Sequence, residues 1–162
     1  MERIEKTIEV DCHIRTAYNQ WKQFEELPRF MDGVKSVHQL DDKHVHWHAE
    51  LWGKDKEWDA EITELVPDER ISWRSVSGDA PNAGTVRFEP LGANRTRVRL
   101  VMSYDPQGAV ERVGDALGLL RARVESSIHN FKHYIEQRGV DDSGWSRARG
   151  NRGDAARSAR RL

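Results

Sequence analysis

A chain of 162 residues with 37% apolar and 33% charged residues has the size and balance of one globular domain with a strongly solvated exterior, which excludes disorder throughout. Cys12 is its one cysteine, so an intrachain disulfide is excluded, as is a cysteine-built zinc site unless subunits share it, and a reducing, cytoplasmic setting is expected. Residues 1–6 are charged and no run approaches membrane-spanning length, so neither a secretory signal nor a transmembrane helix is expected. The net charge of −1 conceals an asymmetry, because residues 145–162 hold six Arg against one Asp: a basic tail on an acidic body.

Residues 3–10 alternate, with Ile4, Ile8 and Val10 on one side and Arg3, Glu5, Thr7 and Glu9 on the other, the pattern of a half-buried strand. Asp11 then offers a cap for a helix over 13–23, where Ile14, Ala17, Tyr18 and Trp21 fall at helical spacing. A second short helical segment over 24–31 contains Pro28, which must sit in its first turn or break it.

Six more alternating segments follow, at 34–40, 44–52, 57–66, 71–76, 84–90 and 96–104, separated by short turn signals rich in Asp, Gly, Pro and Asn. Connections this short imply an antiparallel meander. Val45, Trp47, Ala49 and Leu51 share one face with Trp58, Ala60, Ile62, Ile71, Trp73, Val86, Phe88, Val98, Leu100, Met102 and Tyr104; the other face carries His44, His46, His48 and a ladder of Asp, Glu and Arg. Such a sheet is covered on one side only. The cover is a long helix over 115–138, in which Leu117, Leu120, Val124, Ile128, Phe131 and Ile135 recur every three or four residues, with Gly139 as its C-cap. The predicted class is therefore α+β, with a domain over 1–142 and a tail over 143–162 whose Arg, Gly, Ser and Ala content reads as disordered.

The combination of Phe24, Leu27, Pro28, Phe30 and Met31 with Glu57-Trp58-Asp59-Ala60-Glu61-Ile62, Ile71-Ser72-Trp73-Arg74-Ser75, Asn82-Ala83-Gly84-Thr85-Val86-Arg87-Phe88, Thr96-Arg97-Val98 and Phe131-Lys132 resembles the bacterial polyketide cyclase/dehydrase and lipid-transport family. That family belongs to the START-like (SRPBCC, Bet v 1-like) superfamily, which includes a coenzyme Q-binding branch. The resemblance spans about residues 3–139. It implies a helix-grip fold, in which a seven-stranded antiparallel sheet and the last helix enclose a hydrophobic cavity. The basic tail lies outside it.

Trp47, Trp58, Trp73 and Phe88, with Phe24, Phe30 and Met31, are the inward aromatic and sulfur-bearing group. Periodicity alone reads these side chains as core filling; the resemblance sets beside that a ligand cavity walled by Phe24, Phe30, Met31, Trp47, Leu51, Trp58, Ala60, Trp73, Phe88, Leu100, Tyr104, Leu120, Val124 and Phe131. The ligand expected is a small hydrophobic molecule of polyketide, quinone or lipid type, bound without cofactor or metal. His44, His46 and His48 form a row of alternate residues, a spacing that suits a metal, but they lie opposite the buried face and should meet water. His129 and His133, one helical turn apart, flank the apolar stripe. The alternative is a cyclase, aromatase or dehydratase, for which Ser75, Tyr104 and Tyr18 are the polar candidates, with Asp59 and Arg74 if a bulge turns them inward. A third reading is a non-enzymatic interaction module. No specific nucleic-acid partner is expected; the Arg-rich tail reads first as a solvated end, with peripheral contact to an anionic membrane as its other use. Oligomeric state is not written in the pattern.

Overall fold

Period-two patterning becomes seven antiparallel strands in the computed structural model, which describes residues 2–51, 53–78, 81–104 and 116–153. Strands β1 (Glu2–Val10), β2 (Val34–Gln39), β3 (His44–Leu51), β4 (Lys54–Val66), β5 (Arg70–Gly78), β6 (Asn82–Gly92) and β7 (Arg95–Tyr104) form one curved sheet in the order β1-β7-β6-β5-β4-β3-β2. From β2 to β7 the chain is the expected meander. β1 instead pairs with β7 along its length, Ile4 opposite Met102 and Ile8 opposite Val98, which leaves β1 and β2 as the two edges.

Helix α1 (Ile14–Lys22) starts one turn-residue later than Asp11 would allow. His13 is the cap: its backbone is extended and its Nδ1 accepts from the Arg15 N–H at 3.1 Å. Asp11 has a different task, donating its N–H to the Glu136 carboxylate at 2.8 Å. The second helical segment is a 3-10 helix over Phe24–Arg29 packed on β2. Pro28 sits near its end rather than in its first turn, and the winding stops at the next residue.

Helix α2 (Ala116–Gly153) supplies the cover, packing chiefly against β1 and β7. Its helical backbone runs through Gly139, the expected C-cap, and on to Gly153; one glycine inside a helix costs only about 1 kcal/mol and need not stop it. Asp115, the expected first residue, and residues 154–162 lie outside the described residues.

Lys132 Nζ donates to the Glu9 carbonyl at 2.7 Å, and Lys6 pairs with Glu125 at 3.2 Å, fastening α2 to β1. On its other flank, Asn130 donates to the Phe30 carbonyl at 3.3 Å and Ser127 Oγ accepts from the Asp32 N–H at 3.2 Å. Arg123 donates to the Glu50 carbonyl and, at 2.8 Å, to the Glu50 carboxylate. Its guanidinium lies where a Cβ on Gly33 would stand, and Gly33 has φ +83, so only glycine serves there.

The two faces separate as the alternation requires. Val45, Ala60, Ile71, Val86, Val98 and Leu100 are buried against the helices, while the outer face is a lattice of cross-strand ion pairs. The two ends of the inner face also differ. α1 crosses β5, β6 and β7 and pairs Arg15 with Asp68 of the β4–β5 turn at 3.4 Å, so it closes that end. The connections β3–β4 and β5–β6 and the exit of β7 all belong to the opposite end.

Candidate functional site

The inward aromatic residues fall into two groups. At the α1 end, Trp21, Phe30 and Phe131 meet mutually, with ring centroids 5.1 to 5.3 Å apart. Tyr18 meets Phe88 edge-on at 5.7 Å, and Phe24 is buried in the 3-10 segment. Phe30 and Phe131 retain 1% and 0% exposure. This group fills the core beneath α1 as a plug.

The second group lies toward the opposite end, where β3 leads into β4 and β5 into β6. Trp47 and Trp58 are direct partners across β3 and β4, and their rings are parallel within 6° at 5.9 Å. Trp73 follows at 6.4 Å from Trp47. Trp73 pairs with Gly84 across β5 and β6, and a Cβ at Gly84 would come within 2.4 Å of the Trp73 ring and 3.0 Å of Met102 Sδ. The missing side chain is the space the indole occupies. Ala49 and Ala60, each two residues along its strand from a tryptophan, keep the same face low. The three indoles are buried, with 5%, 8% and 6% exposure, much as Phe24 and Phe88 are under α1. Met31, Met102 and Leu120, all apolar and only partly buried, pack against the core that holds both groups.

The structure therefore brings Trp47, Trp58 and Trp73 together and sets Phe30 and Phe131 apart from them with Trp21; Phe88 belongs with Tyr18 under α1. Ala60, Leu100, Tyr104 and Val124 are buried on the inner side. The side chains of Leu51 and Leu117 lie outside the described residues. Met102 was on the oily face but outside the predicted wall, although it shares the period of Leu100 and Tyr104; Asn82 was missed because nothing local marks it. Asn82 is buried opposite Tyr104, and its N–H donates to Ser75 Oγ at 2.9 Å.

Asp59 and Arg74 do not turn inward. The register shifts between Asp59 and Ala60, but Asp59 Oδ1 stays 2.6 Å from His46 Nδ1, and Arg74 pairs with Glu61 at 2.9 Å on the outer face. His46 is held from both sides, with Nε2 2.8 Å from Glu57. The bond to Asp59, then that to Glu57, raises the imidazole pKa above its ordinary value. His44 reaches Asp41 and His48 reaches Asp55, so this row is engaged in ion pairing. Among the described residues, no group of His, Cys, Asp and Glu is placed to hold a metal. Burial, with Glu136 and Asp11 nearby, pushes the Cys12 thiol up to about 11, which leaves it protonated and inert. Burial, then Asp68, raises the Tyr18 phenol.

On the flank of α2 away from the ladder, Arg29, Asn130, His133, Tyr134, Gln137 and Arg138 line an open groove of about 520 Å³. His133 is exposed, as its flanking position predicts.

Residues 10–132 match the model of the family described as polyketide cyclase / dehydrase and lipid transport. The chain belongs to that family. This member is 44% identical over 145 residues to a 17.2 kDa protein of Streptomyces lincolnensis encoded in the melC2–rnhH intergenic region, covering 90% of this chain and 97% of the other. Among solved structures, a Deinococcus radiodurans protein is 26% identical with a TM-score of 0.67, over 84% of this chain and 98% of its own. The Zhui aromatase/cyclase of a Streptomyces species superposes with a TM-score of 0.73 at 15% identity, over 85% and 94%. A START superfamily protein of Mycobacterium smegmatis gives 0.68 at 16%, over 83% and 97%. At these last two identities the likeness is one of fold, and it is the helix-grip fold. No helix among the described residues is long and apolar enough to cross a membrane.

Proposed function

We propose that this protein binds a small hydrophobic molecule, of polyketide, quinone or lipid type, between the inner face of the sheet and α2, and carries or sequesters it unchanged. The supporting observation is the ladder of three indoles on the inner face, apart from the cluster of Trp21, Phe30 and Phe131, with Met102 at the Trp73 ring and the partly buried Met31 and Leu120 on the same core. Flat apolar rings of this kind are what a hydrophobic ligand covers, at roughly 25 cal/mol per Å² of area buried. Tyr104, Leu100 and Val124 complete the proposed wall. Phe30 and Phe131 support it from behind. The coenzyme Q-binding branch is one source of such ligands, since a quinone ring is flat and largely apolar.

Native mass spectrometry of protein purified from its source, followed by organic extraction, tests this directly. A retained mass that extracts into organic solvent is the expected result. Protein that carries nothing and fails to bind any of a panel of flat apolar molecules rules the reading out.

A second reading, cyclisation or dehydration of a poly-β-keto substrate, has one feature in its favour. Ser75, Asn82 and Tyr104 gather at the end away from α1, and a hydroxyl, an amide and a phenol suit the polarisation of carbonyl oxygens. The carboxylate and guanidinium first considered for proton transfer, Asp59 and Arg74, lie on the outer face, which favours the carrier. Turnover of a poly-β-keto substrate that is lost in Tyr104→Phe would reverse that preference.

A further inference from the structure

Three buried indole nitrogens, Nε1 of Trp21, Trp47 and Trp58, have no hydrogen-bond acceptor among the described residues, and water reaches none of them. An orphaned buried donor is rare in a folded protein, because it loses its bond to water and gains nothing in return. Trp21 belongs to the plug, with Phe30 and Phe131 around it. Trp47 and Trp58 differ. They are neighbours across two strands, their rings are parallel, and both belong to the ladder on the inner face of the sheet. Two unpaired N–H groups thus belong to one stacked pair of rings on the inner face.

We infer that the indole N–H groups of Trp47 and Trp58 are the polar contacts that select and orient the ligand, donating to a neutral oxygen acceptor on the edge of a flat ring. This rests on the proposed binding of a hydrophobic molecule and adds the chemistry of its recognition. A charged acceptor would lose too much hydration on entering an apolar wall. A plain hydrocarbon would leave both donors orphaned. A ring bearing a carbonyl covers the indole faces and meets the N–H groups together. Because water does not reach either nitrogen in the closed arrangement, the acceptor arrives with a molecule that shifts the rings, and the gain from satisfying the donors favours that shift. Each bond made to an otherwise unsatisfied donor is worth about tenfold in affinity.

Fluorenone and fluorene form a matched pair of probes, alike in ring and size, of which only the first carries a carbonyl. Titration of the full chain with each, followed by tryptophan fluorescence and by the indole N–H cross-peaks in a two-dimensional NMR spectrum, separates the outcomes. The expected result is that fluorenone binds about tenfold or more tighter. The Trp47 and Trp58 indole signals then move downfield with fluorenone and not with fluorene, and the Trp21 signal stays in place with both. Replacing Trp47 or Trp58 by benzothienylalanine, which keeps the ring and removes the N–H, should bring the two affinities together. Equal affinities in the native protein, with unmoved indole signals, overturn this inference and leave the binding function standing. Failure of both probes to bind at any concentration overturns the two together.

Discussion

Gly84 shows how a single residue shapes the inner face. Its φ is ordinary, so its value lies in the side chain it lacks, whose place is taken by the Trp73 ring. Gly84→Val would drive a branched side chain into that ring and into Met102, an overpacking expected to destabilise by about 1–3 kcal/mol. Equilibrium denaturation measures the loss, and a changed near-ultraviolet circular dichroism spectrum would report the displaced indole; an unchanged spectrum and midpoint would count against the ladder as described. On the outer face, His46 makes the opposite kind of contribution. Its folded pKa is raised above 6.5 by Asp59 and Glu57, so folding favours the charged ring. That contribution is complete below the unfolded value and disappears as pH rises through the folded one. The side chain is 31% exposed, which limits the effect to under about 1 kcal/mol. The thermal midpoint of the native chain should therefore exceed that of His46→Gln near pH 5.5 and approach it near pH 9, pH values set roughly on either side of the titration. A constant gap across that range would show that the pairing adds nothing.

Among the elements, the strands were the most legible, because a period of two assigns each residue to a face without reference to anything distant. The alternation that put Trp47, Ala49, Ala60 and Leu100 on one side is the alternation observed. Pairing beyond the hairpins was not legible: β1 joins β7, with Ile4 opposite Met102, and no local signal marks that choice. Nor did the stripe on α2 reveal that its residues do unlike things. Phe131 is sealed among Trp21 and Phe30, while Leu120 remains partly exposed. That difference depends on where α1 crosses the sheet, which the sequence of α2 does not contain. It has a measurable consequence. Phe131→Ala should cost about 3–5 kcal/mol, as for a large ring removed from a packed core. Leu120→Ala should cost about 1–2 kcal/mol, since less contact is lost at a half-buried site, yet it should weaken ligand affinity more than Phe131→Ala does at matched folded concentration. Denaturant midpoints and ligand titration give both quantities, and a reversed order of affinities would remove Leu120 from the proposed wall.

For the molecule as a whole, the family's match over residues 10–132 and the described packing of α2 agree about where the work is done. The side chains that hold α2 in place run from Arg123, on the β3 end, to Arg138, which reaches Gln20 at 3.0 Å and Glu26 at 3.5 Å beneath α1. Ile135 is the last buried residue among those described. The helical backbone continues to Gly153, but the proposed division at residue 142 falls after all of these anchors. The last 18 residues carry six Arg, and a basic segment contributes to membrane affinity at most about 1 kcal/mol per basic residue near an anionic surface. A chain ending at residue 142 should therefore keep its thermal midpoint within about 2 °C of the full protein, a shift that corresponds to about 0.5–1 kcal/mol at this size. It should also bind the same hydrophobic ligand with the same affinity. Vesicles containing phosphatidylserine separate the remaining possibilities, since binding by the full chain and not by the truncated one would assign the tail to the membrane. Loss of folding or of ligand affinity on truncation would instead make residues 143–162 part of the domain, and the boundary proposed here would be wrong.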